Sequence, residues 1–424
     1  MGESSSIVLN DHSSRVYSVA FSPDGLYVAS ASADRTINIW DAGSVQSTIQ
    51  PLLAHDDNVN AVAVSADGFI VSGSEDKSVR IWNAQTGQLI LQPLLGHTEA
   101  VNFVAISTDG RLIASASGDC TVRLWDAHTG GSIGVPLQGH MGDVNAVQFS
   151  SDTQWLVSGS DDRTVRIWDV ATRQPSTVGP LRCDDSVFAV AFSPDQQLIT
   201  AADKSGNICI WNKETGQSAQ EPFHVSTRIQ SIAFSPGGTH LVSGGDDGVG
   251  RMWDVSTGQQ ILAREVHSDW IRSITFSPSG RLISTGSDDR TIRLWDAATG
   301  EQLVILHGHN AYVTSVAFTP DGKSIVSGSD DSTIRVWDVE AALTQSSDSG
   351  KKPTFDLEHS GLDEGWIMSK SGEMLVWVPE EYRGFIQTPS CTALIGKHCV
   401  IVTAEETWHR GEKWTDCWLG SNAS

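Results

Sequence analysis

Tryptophans at positions 40, 82, 125, 168, 211, 253, 295 and 337 are spaced by 42 or 43 residues, and each is followed by Asp or Asn. A unit of this length, carried eight times, cannot bury its own apolar face, so the copies must stack on one another. In the second unit VNAVAVS, IVSGS, SVRIWN and QLILQPL alternate with period two, the pattern of four short strands. SPDG, SADG, STDG and TPDG join the first two strands, and NAQTG and DAATG separate the third from the fourth. These are turn sequences, with Pro, where present, preset for the second turn position and Gly for a positive φ. The repeat also governs how the acids are read. GSDDRTIRLWDAATG, residues 286–300, sets two carboxylates beside a hydroxyl and in isolation looks like an active site. SGSDDRTVRIWDVATR, SGSDDSTIRVWDVEAA and SASGDCTVRLWDAHTG repeat it, which assigns the pattern to the frame.

These motifs resemble the WD-repeat family over residues 1–340. The resemblance implies an all-β fold, a single eight-bladed β-propeller in which each blade buries both faces against its neighbours. In that family the chain's first strand completes the last blade, and Ile7-Val8-Leu9, ahead of His12, has the right offset. Phe355-Asp356-Leu357 competes for the same place, and the N-terminal closure is favoured. Residues 341–354, Ser-rich and charged, read as a linker. Residues 355–424 read as a β-rich extension: GWIMSKSGEMLVWVP as two strands joined by Lys370-Ser371-Gly372, and ALIGKHCVIVTA as another pair or one long strand. Trp366, Leu375, Trp377, Trp408 and Trp414 are too apolar for full solvation, so this extension is expected to pack on the propeller. Its GWI, WVP, ALIG and GEKW motifs resemble the C-terminal ends of basidiomycete fungal WD-repeat proteins, including those with nucleotide-binding NACHT modules. No GxxxxGK[ST] phosphate loop accompanies them.

The family's blades carry a buried tetrad of His, Ser or Thr, Asp and Trp, and the resemblance places it here at His55, Ser72, Asp76 and Trp82, at His267, Thr285, Asp289 and Trp295, and in seven units in all. An imidazole between a carboxylate and a hydroxyl, closed by an indole that can only donate, satisfies every buried polar atom. A hydrolytic Ser-His-Asp site is excluded by the repetition, since a nucleophile needs one exposed place and an oxyanion hole. The fifth unit has Cys183, Ala201 and Ser205 and keeps only Trp211. It is expected to be the softest blade.

Composition narrows the remaining classes. The 51 acidic and 28 basic residues give a formal charge of -23, which repels phosphate backbones and argues against general nucleic-acid binding. No apolar run approaches a membrane span, and MGESSSIVLN lacks a basic, apolar signal pattern. Gly2 and Ser6 match the short myristoylation pattern, which carries little weight. Cysteines 120, 183, 209, 391, 399 and 417 form no CxxC pair, which suits reduced thiols in cytoplasm or nucleus. Cys391, His398, Cys399, His409 and Cys417 lack structural zinc spacing, so neither metal nor cofactor is expected.

Function is therefore sought on the propeller's top, where the resemblance places three positions per unit. Among them are Asn58, Asn60, Asn102, Asn145 and Thr314, and in the second half Arg228, Trp270, Arg272, Asp288, Tyr312 and Asp330. Trp270, Arg272 and Tyr312, with Arg15 and Tyr17 across the closure and Asp288 and Asp330 at the edge, form the expected binding patch. The expected function is a monomeric, non-enzymatic module that recognises a protein or peptide, with the acidic edge favouring a basic segment. The alternatives are a sensor module of a fungal signalling system and an enzyme with its site at the central channel; the off-pattern His, Glu, Asp or Cys cluster that an enzyme needs was not found.

Overall fold

The structure, a computed structural model, describes residues 6–42, 52–219 and 221–349, and short stretches at 362–363, 366–368, 374–377, 392–394 and 400–402. Eight antiparallel sheets follow one another along the chain. Blade 7 has all four strands, Ile271–Phe276, Leu282–Ser287, Thr291–Asp296 and Gln302–His307, hydrogen-bonded in that order, whereas blades 2 and 3 have three, and QLILQPL of the second unit makes isolated bridges at Leu89 and Leu94 rather than the expected fourth strand. The first strands, from Val16–Phe21 of blade 1 to Val313–Phe318 of blade 8, touch one another in an unbroken ring and so line the axis.

The N-terminal strand closes that ring. Ser6–Leu9 pairs antiparallel with Ile334–Asp338, with Leu9 opposite Ile334 and Ser6 opposite Trp337. Leu9 then joins Val16, Val28, Trp40, Val326 and Ile334 in one buried cluster shared by the last and first blades. Arg335 Nη1 donates to Ser6 Oγ at 2.9 Å, and Thr314 Oγ1 donates to the Val16 carbonyl at 2.6 Å across the same seam.

Blades meet through alternate residues of their facing strands, as Ala29, Ile37 and Ile39 of blade 1 meet Val59, Val62 and Ile70 of blade 2. Approach is close enough to exclude a side chain in places. A Cβ added at Gly159 would lie 2.5 Å from Val187 Cγ1 of the next blade, which explains the Gly between the two serines of SGS. Each first strand also carries a β-bulge near its start, as at Val16/Ser18 and Ile271/Ser273. A bulge re-aims the residue within it. In blades 2, 3 and 4 it turns Asn60, Asn102 and Asn145 onto the carbonyls of Val101, Val144 and Val187 in the following blade, each at 3.1 Å.

After the last blade, Val339–Ser349 is helical, with Val339 and Ala342 buried against Trp337. The helix takes up most of the first part of the stretch read as a linker, because Glu340, Ala341, Ala342 and Leu343 are good helix formers and Asp338 Oδ1 caps the Ala341 N–H. Residues 345–424 belong to a second compact unit. In it Leu362–Asp363, Trp366–Met368 and Met374–Trp377 form a three-stranded sheet with Trp366 opposite Trp377, and Thr392–Leu394 pairs with Val400–Val402. The rest of the extension, including Phe355–Leu357, Trp408, Trp414 and the cysteines and histidines beyond residue 390, lies outside the described residues, as does Gly2.

Candidate functional site

The turn between the second and third strands holds the tetrad aspartate in place. In blade 7 the Asp289 N–H donates to Ser287 Oγ, Arg290 takes a left-handed φ of 70°, and the Thr291 N–H returns to Asp289 Oδ1 at 3.0 Å. His267 Nδ1 then meets Asp289 Oδ2 at 2.8 Å and its Nε2 meets Thr285 Oγ1 at 2.7 Å, while Trp295 Nε1 donates to the same hydroxyl at 3.1 Å. The same chain of bonds runs through His55, Asp76, Ser72 and Trp82 at 2.8, 2.8 and 3.0 Å. Every serine or threonine in this role is buried, which removes it from any substrate.

Immediately beside each tetrad aspartate is a residue on the loop side, and there blades 6, 7 and 8 carry Asp246, Asp288 and Asp330. Asp288, expected to face a partner, is instead 6% exposed. Arg272 grips it with two parallel bonds of 2.8 Å, Nε to Oδ1 and Nη2 to Oδ2. The guanidinium also lies under the Trp270 ring, 4.7 Å from its centroid. The hydrogen bonds that Arg272 donates to Asp288 raise its pKa further, against the opposing effect of burial. Both residues thus serve to set the Trp270 plane, and Arg272 is not the free cation that its position in the sequence suggested.

Around that fixed group, Asp246 accepts Gln230 Nε2 at 2.7 Å, and Arg15 Nε approaches Asp330 Oδ2 at 3.6 Å with most of its side chain in solvent. Asp246 and Asp330 add to Asp288 in favouring the charged form of Arg272. Burial pushes the Asp330 carboxyl up, opposed by Arg15 and Arg272. Trp270 and Tyr312 occupy equivalent loop positions on neighbouring blades and are 37% and 44% exposed. Tyr17 is half-buried on blade 1. Arg228 stands apart, stacked 4.1 Å over the Phe188 ring of blade 5. Asn60, Asn102, Asn145 and Thr314, four of the positions read as partner-facing, are engaged in the interblade bonds described above. The sequence carried one signal for this: the first three are each the second residue of a bulged strand, in VNA or VNF, and are the same residue type.

The WD domain, G-beta repeat model matches residues 3–41, 46–83, 88–126, 131–169, 176–212, 219–254, 258–296 and 300–338. The chain belongs to the WD-repeat family. Among solved structures, the crystal structure of the computationally designed Ika8 protein is similar at 31% identity and a TM-score of 0.71, over 80% of this chain and 100% of that one. No curated protein matches. WD-repeat propellers generally serve as non-enzymatic protein-interaction scaffolds.

Three blades depart from the WD-repeat tetrad, and the count of seven complete units requires correction. In blade 6 the histidine position is Val225, buried among Ile208 and Trp253, with His224 one residue too early. Its Asp247 turns to Arg251 instead, which donates to both carboxylate oxygens. In blade 1 His12 bonds to Asp34 and Ser30, but Trp40 Nε1 has no hydrogen-bond partner among the described residues. Five blades therefore hold the whole chain of bonds: 2, 3, 4, 7 and 8.

Blade 5 replaces the network rather than simply losing it. Asp203, 0% exposed, accepts the Asn207 N–H at 2.8 Å and its side-chain amide at 2.9 Å. His224 Nδ1 meets Asn207 Oδ1 at 2.7 Å, so the histidine displaced from blade 6 is used here. Ser205 turns outward to Asp185 at 2.9 Å. A hydrogen bond with Cys209, together with burial, raises the Cys183 pKa far above the ordinary thiol value, so it stays protonated and is a poor nucleophile.

Two expected outcomes follow from the tetrads. Asp119→Ala leaves the buried His97 Nδ1 without its acceptor, at a cost of about 1 to 3 kcal/mol in chemical denaturation; an unchanged midpoint would show that the bond contributes nothing net. The second concerns acid. Burial lowers the His55, His97, His267 and His309 imidazoles below 6.5 against the pull of their aspartates. Burial alone would raise the aspartates, but imidazole and hydroxyl donors outweigh it, and Asp76, Asp119, Asp289 and Asp331 fall below 3.8. In both cases the unfolded chain binds protons first, so the stabilisation is whole above the unfolded value and is lost as pH falls below it. Thermal stability should therefore drop in two stages, beginning near pH 6.5 and again below 3.8. A melting temperature that holds steady through the first stage would contradict neutral buried imidazoles.

Proposed function

We propose that the chain is a recognition module that binds an extended, basic protein segment on the top of blades 7, 8 and 1. The observation that carries this reading is the Trp270 ring held flat over an Arg272–Asp288 pair and left open to solvent, with Tyr312 in the same position on the next blade. Rigid aromatic surface binds at low entropic cost because few rotamers are frozen. Three carboxylates, Asp246, Asp288 and Asp330, stand there against the two guanidiniums of Arg272 and Arg15, and Arg15 is only loosely held at 3.6 Å. The local excess of acid agrees with the formal charge of -23 and favours a Lys or Arg from the partner. A pulldown from native lysate comparing the parent with Trp270→Ala and Tyr312→Ala tests the reading, and retention of every specific partner by both variants would overturn it. Work in the cytoplasm or nucleus fits the free thiols of Cys120, Cys183 and Cys209 among the described residues. The motifs of the extension are what favour a fungal signalling context.

A further inference from the structure

Two cysteines of blade 5 meet where other blades hold the tetrad. Cys183 takes the histidine place: its N–H donates to the Arg163 carbonyl of blade 4 at 2.9 Å, as the His55 N–H donates to the Arg35 carbonyl of blade 1 at 3.1 Å. In blade 2 the His55 ring reaches Ser72, and Ser72 stands directly opposite Arg80 across the antiparallel pair. The corresponding residues of blade 5 are Ala201 and, opposite it, Cys209. Directly opposed residues project from the same face of a sheet, so the Cys183 and Cys209 side chains converge over Ala201. All three pack in one cluster with Trp211, and Ala201, fully buried, has nothing beyond its Cβ to hold the sulfurs apart. The two thiols hydrogen-bond to each other. Both replacements belong to blade 5 alone: the place of Cys209 is Arg in blades 2, 3, 4, 6, 7 and 8 and Asn38 in blade 1, and no other unit has cysteine in the histidine place.

We propose that Cys183 and Cys209 are a reversible modification site, a dithiol that a low-molecular-weight disulfide such as oxidised glutathione converts to a disulfide bond. Cys183, only partly buried, is the thiol that an oxidant of this size reaches first, and the buried Cys209 resolves it. Cys183 attacks as its thiolate, forms a mixed disulfide and releases one reduced glutathione. Cys209 then attacks the protein sulfur of that mixed disulfide and releases the second. Two electrons pass from the protein pair to the oxidised glutathione, and the two thiol protons end on the glutathione thiols. The bond with Cys209, burial and the carboxylates of Asp203 and Asp184 hold Cys183 in its thiol form, so the exchange is slow. The product is neutral, so the same surroundings impose no charge penalty on it. It joins the loop entering the blade to the third strand, 26 positions on, the two parts that His55 and Trp82 join through Ser72 in blade 2. The loop it fixes leads into Val187–Phe192, whose Phe188 ring carries Arg228 of the next blade.

The test equilibrates the full chain with oxidised and reduced glutathione at a series of ratios, starting once from the reduced and once from the oxidised protein. Free thiols are then alkylated, and peptides cut without reduction are mapped by mass spectrometry. The expected product is a linked Cys183–Cys209 peptide, lighter than its two parts by two hydrogens. Its yield should be the same from both starting points and should rise with the share of oxidised glutathione. Hydrogen exchange across residues 183–209 should slow by about tenfold or more as the link forms, because the closed loop loses open conformations. In Cys209→Ala the mixed disulfide at Cys183 should accumulate instead, and the map of the parent decides the matter even where that variant fails to fold. Two free thiols at every ratio would overturn the proposal, as would a parent that stops at the mixed disulfide. So would a link that forms only in urea-unfolded chain, or one that runs from either cysteine to Cys120 or to a cysteine beyond residue 390.

Discussion

Alanine in place of Trp270 or Tyr312 is expected to weaken partner binding by about 2 kcal/mol or more, while the propeller unfolds as the parent does. The two halves of that expectation come from one feature, the exposure of these rings at 37% and 44%. A side chain so open contributes little to the core, so its removal should leave stability nearly unchanged. It has large apolar area still to bury, and that area is lost to any partner. Trp270 has the larger expected effect because Arg272 fixes its plane from below. Arg272→Ala should mimic it indirectly and with a different signature, since it also strands the Asp288 carboxylate, which is 6% exposed, and so lowers stability. Substitution of Asn58, paired with Glu75 on blade 2 and three blades round the ring from Trp270, should change little. If Asn58 variants abolish binding and Trp270→Ala does not, the surface lies elsewhere.

Asp203→Ala should destabilise the propeller by about 3 kcal/mol, which would make it one of the more damaging single truncations of a polar residue here. Its carboxylate is fully buried and satisfies a backbone N–H and a side-chain amide of Asn207. Without it the buried Asn207 N–H loses its acceptor, and the Asn207 amide keeps only its longer bond to Asp184 Oδ2 at 3.3 Å. Ser205→Ala, at the position where other blades hold the tetrad aspartate, should stay within about 0.5 kcal/mol because its bond to Asp185 is exposed. Denaturant midpoints separate the two. Hydrogen exchange adds a further check: with this substitute network in place, residues 183–212 should be protected comparably to blades 2, 3 and 4. Markedly faster opening there would restore the softer blade that the missing tetrad residues suggested.

The contrast between those two residues marks the boundary of what the linear chain determined. The number of blades, the inner three strands of each and the offset of Ile7–Leu9 follow from a period that every unit repeats, because strand alternation and turn chemistry are local. So does the structural role of Asp76 and Asp289, since a pattern present in unit after unit belongs to the frame. What stayed hidden depends on which residues meet across a distance. Arg272 and Asp288 are 16 positions apart and pair only because their strands lie side by side in one blade. Asn60, Asn102 and Asn145 look like surface residues until a bulge turns them onto the next blade's carbonyls. His224 sits next to the tetrad position and is used by its neighbour, Asn207 of blade 5, while Val225 fills the place itself. Burial of Asp288 has the same kind of origin: a side chain's surroundings in a propeller are set by the strands that come to lie beside it, in its own blade or the next, which the local pattern does not describe.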